Sequence, residues 1–177
     1  MRRKKVYLII DGYNIINNWS ELKSELETDL DSSRGKLIDI LCEYAKMTDE
    51  KVIVVFDAHQ VKGSIRREEQ YRGIELIYTK ENETADQYIE RRLDLIGRRE
   101  IVRVATSDAM IQRIILGRGG TRISASELKA IINGVKSNAK RIKKNLVKVK
   151  DKNLVRLEDS NIRLLDDLLK GMRKNSK

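Results

Sequence analysis

The apolar positions along the first 123 residues switch several times between short solid runs and helical spacing. Val6-Tyr-Leu-Ile-Ile10 is an almost unbroken apolar run, the pattern of a strand covered on both faces. From Ser32 to Met47 the apolar residues Leu37, Ile38, Leu41 and Ala45 return on one side. That spacing predicts a helix, with Ser32 or Ser33 as its cap. Val52-Ile-Val-Val-Phe56 and Ile74-Glu-Leu-Ile-Tyr78 read as the next two strands. Thr84 then caps a helix running to about Ile96, with Gly97 as its stop. Ile101-Val-Arg-Val-Ala105 is a fourth strand, followed by a helix from Asp108 or Ala109 to Leu116. After the turn Gly117-Arg-Gly-Gly120, Thr121-Arg-Ile123 gives a short fifth strand. Strands separated by helices predict an α/β fold with a mainly parallel central sheet and a site at the carboxyl ends of its strands.

Beyond residue 123 the rhythm is helical throughout. Ser124-Ala-Ser-Glu127 fits a reciprocal capping box. Leu128, Ile131, Ile132, Val135, Ala139, Ile142 and Leu146 follow at helical intervals, with Lys136, Lys140, Lys143 and Lys144 on the other side. Ser160 opens a final amphipathic pattern through Ile162, Leu165, Leu168, Leu169 and Met172. The expected organisation is a core over 1–123 and a basic helical part over 124–177 that packs on the core or extends it.

Composition sharpens this division. The 177 residues carry a formal charge of +10. Residues 1–120 hold 21 basic and 21 acidic side chains, and residues 121–177 hold 16 and 6. A neutral body with a basic end points to a polyanion, most simply nucleic acid. The single cysteine, Cys42, allows no internal disulfide and falls in a helical pattern as an inert core or boundary residue. The apolar run after the basic start is too short for a signal peptide or a membrane span. A cytoplasmic protein with no membrane partner is therefore expected.

Four acids stand out by position. Asp11 follows the first strand, Asp57 the second, Asp86 lies in the first turn of the helix capped by Thr84, and Asp108 follows the fourth strand. In a parallel sheet all four emerge at one edge. Taken singly, each has a structural account. Asp11-Gly-Tyr-Asn14 could be an ordinary turn, Asp57 could pair with Arg66 or Arg67, Asp86 could complement a helix dipole, and Asp108 could cap a helix. Together they would repel one another unless a cation sits among them. With oxygen donors, one histidine and no cysteine cluster, that cation is Mg2+ or Mn2+ rather than zinc. Such an ion activates water and neutralises charge on a phosphodiester.

The stretches Ile9-Ile-Asp-Gly-Tyr-Asn-Ile15, Val55-Phe-Asp-Ala58, Tyr78-Thr-Lys-Glu-Asn-Glu-Thr-Ala-Asp86, Tyr88-Ile-Glu-Arg91, Ala105-Thr-Ser-Asp108 and Arg122-Ile-Ser-Ala-Ser-Glu-Leu128 resemble the NYN domain of the YacP-like proteins, within the PIN-like nuclease group. The resemblance covers most of the chain. It implies a PIN-like three-layer α/β/α fold with C-terminal helices and a divalent-metal-dependent endoribonuclease acting on mRNA in association with the ribosome. By the same resemblance Asp11, Asp86 and Asp108 match metal-binding positions, Asp57 an additional acid, and Asn14 a residue that orients Asp11 or contacts a phosphate. Ser107 and Glu83 are supporting candidates. Arg66, Arg67, Lys80 and Lys136, Lys140, Lys143 and Lys144 are candidates for holding the RNA backbone. Trp19, in an expected loop beside the site, is the best stacking candidate, ahead of Tyr13 and Tyr71. His59 reads as a turn residue near the edge.

Two other classes compete. A non-catalytic RNA- or ribosome-binding module would use the same fold without cutting. A phosphoryl-transfer domain fits poorly: a haloacid-dehalogenase-like phosphatase needs an acid where Tyr13 stands, and a receiver needs an acidic pair where Asp11 stands alone.

Overall fold

The apolar runs become strands at almost the expected places. The structure, a computed structural model, describes residues 3–26, 28–57, 65–96 and 99–145. The strands are β1 (Val6–Asp11), β2 (Lys51–Phe56), β3 (Arg67–Tyr71), β4 (Ile74–Tyr78), β5 (Ile101–Ala105) and β6 (Thr121–Ile123). The helices are α1 (Gly12–Asn18), α2 (Ser20–Leu26), α3 (Leu30–Lys46), α4 (Ala85–Ile96) and α5 (Ala109–Gly117). Residues 125–145 are also helical. The chain divides into two compact units, 1–135 and 136–177; α6 denotes helical residues 125–135 of the first.

The six strands form one sheet in the order β3-β4-β2-β1-β5-β6. Every pairing is parallel except β3 with β4. Alternation along the strands sorts the core into two layers. Leu8 and Ile10 of β1, Val52 and Val54 of β2 and Leu76 of β4 join Ile15, Ile16, Leu22, Leu37, Leu41 and Leu128 from α1, α2, α3 and α6. Ile9, Ile53, Val55, Ile77 and Val104 turn the other way, onto Ile89 and Leu93 of α4 and Ile111 and Ile115 of α5. The result is a three-layer α/β/α sandwich. Each fully buried Ile or Leu contributes about 1.5–3 kcal/mol, so both sheet faces are well anchored. Ala125, Leu128 and Ile132 complete the first layer, so the start of the C-terminal helical pattern belongs to the sheet unit. Cys42 is buried in the same layer.

Three stretches differ from the sequence reading. Residues 12–26, where the sequence offered only a turn at 11–14 and a loop at Trp19, form α1 and α2, each seven residues long. They are too short to show a full apolar stripe, and burial of Ile15, Ile16 and Leu22 holds them. The cap of α3 is Asp29, whose side chain accepts from the Asp31 amide at 2.9 Å. Ser32 and Ser33 lie within that helix, where Ser33 donates to the Leu22 carbonyl at 2.9 Å and Ser32 to Glu25 at 2.7 Å. Finally, β3 is an added edge strand of sequence Arg-Glu-Glu-Gln-Tyr, with almost no apolar pattern to reveal it. It is joined to β4 through Arg72 and Gly73, both at positive φ (47° and 93°), as a two-residue hairpin turn requires. Its charges guard the sheet edge against further pairing. The expected Gly97 stop, Leu146, His59 and the pattern from Ser160 lie outside the described residues.

The entry into α1 depends on a missing side chain. A Cβ at Gly12 would press into the edge of the buried Phe56 ring, which packs edge-on against Tyr13 with centroids 5.3 Å apart. Gly12→Ala should therefore cost about 1–3 kcal/mol, as overpacking does. A urea denaturation curve at neutral pH measures it, and an unchanged midpoint would contradict the close approach.

Candidate active site

The sheet order fixes where a ligand would lie. The chain moves from β1 to β2 and β4 on one side, then returns to the other side of β1 for β5 and β6. The crevice at the carboxyl ends of β1 and β5 is thus the topological switch point, the usual ligand position in such sheets. Ile10 pairs with Ala105, so Asp11 stands level with Thr106.

Asp11 is both strand end and helix cap. Its carboxylate accepts from the Asn14 amide at 3.2 Å and from the Thr106 hydroxyl, and it is 9% exposed. Burial raises its pKa from 3.8 to about 6; the Asn14 amide and the Thr106 hydroxyl pull it down, while Asp86 and Asp108 push it up further. Asp86, half-buried in the first turn of α4, is also raised, by burial first and then by the charges of Asp108 and Asp57. The four acids therefore share one electrostatic environment at the switch point. Asp57 is half-buried and accepts from the Thr79 hydroxyl at 3.3 Å. Asp108 is exposed, and its amide donates to Thr106 Oγ1 at 3.1 Å.

Sequence reasoning missed the two threonines. Thr79 and Thr106 are fully buried, each the first residue after a strand, and each is bonded to one of these aspartates. A hydroxyl residue directly after an apolar strand was the available signal. Asn14 sits close to Asp11 in sequence, but its side-chain oxygen accepts from the Ser107 amide at 2.9 Å. It ties the β1–α1 turn to the β5–α5 turn, which carries Asp108.

Glu83 has a different occupation. It is buried, accepts from Arg66 Nε at 3.1 Å and Arg66 Nη2 at 2.5 Å, and is also paired with Arg91. Burial pushes its pKa up, but the Arg66 and Arg91 hydrogen bonds outweigh it and bring the value from 4.5 down to about 2. Both guanidinium groups also lie over the Tyr88 ring, at 5.5 and 5.3 Å. Of the other basic candidates, Arg67 pairs with Glu69 at 2.6 Å, and Lys80 is exposed while its amide donates to Glu83 at 3.4 Å. In the second unit Lys136 is partly buried and Lys140, Lys143 and Lys144 are exposed. Trp19 is no stacking platform. It is 5% exposed, and its indole N–H donates to the Ala125 carbonyl at 2.9 Å, because α1 and α2 turn the ring inward where a loop was expected.

The donor set is all oxygen and negatively charged, as a hard cation requires. Among the described residues, however, no group of three or more Asp, Glu, His or Cys is gathered so as to hold a metal ion. The acids share a crevice without closing on a common point.

Comparison with known proteins follows the same outline. Residues 8–174 match the YacP-like NYN domain. The chain belongs to the YacP-like NYN domain family. It is 40% identical over 143 residues to the uncharacterized protein YacP of Bacillus subtilis (strain 168), covering 80% of this chain and 82% of that one. The crystal structure of Rae1 (YacP) from Bacillus subtilis superposes with a TM-score of 0.66 at 35% identity, over 93% of this chain and 95% of that one. Its W164L mutant gives 0.66 at 37% identity, over 76% and 79%. Family membership supports a nuclease-type function related to RNA. Among the described residues no helix is long and apolar enough to cross a membrane.

Proposed function

We propose that this chain is a divalent-metal-dependent endoribonuclease that cleaves mRNA in association with the ribosome. The observation that carries the reading is the set of mutually repelling aspartates at the switch point, with Asp11 buried and raised to about 6. Leaving a buried carboxylate among like charges is costly unless a ligand uses it. Asp11, Asp86 and Asp108 would hold the ion, with Asp57 beside them. A bound Mg2+ or Mn2+ supplies a water of lowered pKa and offsets charge developing on the phosphodiester.

The chain's own groups do the positioning. The Asn14 amide and Thr106 hydroxyl fix the Asp11 carboxylate. The Asn14 side chain holds the turn that presents Asp108. Lys80 at the same edge, and Lys140, Lys143 and Lys144 in the second unit, would contact the RNA backbone, with affinity that falls as salt rises.

The spacing of the acids favours one second reading, a binding module that recognises RNA or a ribosome without cutting it. Purified protein incubated with translating ribosomes and a reporter mRNA, and separately with bare RNA, separates the two. Cleavage is expected with Mg2+ or Mn2+, is expected to stop with EDTA, and should be absent from Asp86→Asn while RNA binding persists. Cutting that survives EDTA would overturn the metal role. Binding without any cutting on ribosomes would establish the module instead.

A further inference from the structure

A cavity of about 260 Å3 opens beside the candidate active site, and no role above uses it. Its walls come from three places: Asn18 and Ser20 at the α1–α2 junction, Ser107 in the β5–α5 turn, and Ser124, Ser126 and Lys129 around the start of α6. Ser107 lies between Thr106, whose hydroxyl holds Asp11, and Asp108. The cavity therefore begins one residue from Asp108 and one residue from the threonine that holds Asp11.

The chemistry of the walls selects the occupant. The one cation, Lys129, is already matched by Glu21, with its Nζ at 2.6 and 2.7 Å from the two carboxylate oxygens. Of the rest of the lining, the Asn18 amide donates to the Asn14 carbonyl at 2.7 Å and Ser124 Oγ is bonded to Glu127 at 2.6 Å, so the hydroxyls of Ser20, Ser107 and Ser126 are the polar groups that face a ligand. Such a surface suits a neutral group with a donor and acceptor edge better than a phosphate, which would need unpaired positive charge. Because Trp19 gives its indole N–H to the Ala125 carbonyl and is buried, recognition here is by hydrogen bonding rather than by stacking on an open aromatic face.

We propose that this cavity receives one base of single-stranded RNA, flanking the phosphodiester at the carboxylates, and reads its edge through the serine-lined wall. The inference rests on the nuclease reading for the identity of the ligand. Unstacked bases bound on their hydrogen-bonding edges are the usual basis of sequence-selective recognition of single-stranded RNA. On this account Ser20 and Ser126 set base preference, and the cleavage position follows from which base fits.

The protein carries its own reporter, since Trp19 is its single tryptophan and lines the cavity. The full chain, in EDTA so that nothing is cut, is titrated with tetra-U, tetra-C and tetra-A while Trp19 emission is followed. A saturable change is expected, with at least a threefold spread in apparent Kd among the bases. Ser126→Phe, which fills the cavity, should erase the spread, and under cleavage conditions should raise KM about tenfold with kcat changed less than threefold. Ser20→Val changes the lining at the α1–α2 junction and serves the same purpose if Ser126→Phe fails to fold, as circular dichroism would show. No emission change, or one equal for all bases and unaltered by both variants, overturns the proposal. Base-dependent emission from a protein that cuts nothing upholds the cavity and refutes the nuclease reading. Cleavage without an emission response does the reverse.

Discussion

Asp11→Asn should destroy RNA cleavage while making the protein more stable at neutral pH. Loss of activity is expected on the order of 10²–10³-fold or more, the scale on which one fixed charge-stabilising group matters in an active site. The gain in stability follows from linkage. Asp11 titrates near 3.8 when unperturbed and near 6 in the folded chain, because burial and the neighbouring Asp86 and Asp108 disfavour its charge. Between those two pH values the native state holds the extra proton, so the stability contributed by this group falls as pH rises and stays low above 6. Two pKa units correspond to about 3 kcal/mol. Asparagine removes the charge, keeps the shape and caps a helix as well as aspartate. A gain of about 2–3 kcal/mol, or roughly 4–12 °C in Tm, is expected at pH 7.5. It should shrink through pH 5 and vanish below about pH 4. Millimolar Mn2+ should raise the Tm of the native protein by linkage and leave that of Asp11→Asn nearly unmoved. A variant that is less stable at pH 7.5, or that still cuts, would remove Asp11 from the site.

That prediction concerns a residue whose position was readable in advance, and the reason is geometric. A solid apolar run ending in an acid can only be a buried strand delivering a carboxylate to the sheet edge. Asp11 and Asp57 were read by that logic, Asp108 from its place three residues past the fourth run, and Asp86 from the first turn of the helix capped by Thr84; β1, β2, β4 and β5 lie within a residue of where their apolar runs place them. The cap at Thr84 and the capping box at Ser124 were equally legible, with the Gln87 amide donating to Thr84 Oγ1 at 3.2 Å and the Ser124 amide reaching Glu127 at 2.7 Å. What escaped was whatever tertiary contact decides. Trp19 faces inward because α1 and α2 form under it, and seven-residue helices have too few turns to declare a face. β3 has no apolar alternation, because its partner β4 and a hairpin turn, not a core, define it. Thr79 and Thr106 look like ordinary strand ends until their hydroxyls are seen on aspartates. Glu83 was readable as an acid near Asp86, but nothing local announces that Arg66 and Arg91 converge on it from 17 and 8 residues away.

Glu83 is consequently expected to behave opposite to Asp11. Its carboxylate is 4% exposed, and two arginines bring its pKa from 4.5 to about 2 against the opposing effect of burial. The unfolded chain therefore binds the proton first, so the stability from this group is complete above about pH 4.5 and is lost as pH falls toward 2. Glu83→Gln removes the charge and leaves Arg66 and Arg91 facing a neutral group. Breaking a fully buried pair costs about 3–5 kcal/mol. Here Arg66 and Arg91 keep 30% and 45% of their side-chain surface in solvent, so about 2–3 kcal/mol is expected at pH 7. Urea midpoints should show this deficit constant from pH 8 to 5 and closing only near pH 2. The Asp11→Asn gain should by then already have gone. Because Glu83 lies one turn before Asp86 and is pinned to α4 through Arg91, Glu83→Gln should also lower kcat severalfold with KM little changed, by loosening the helix start that holds Asp86. A deficit that persists unchanged at pH 2, or a kcat equal to that of the native protein, would show that the clamp neither carries the charge-dependent stability nor positions the carboxylate.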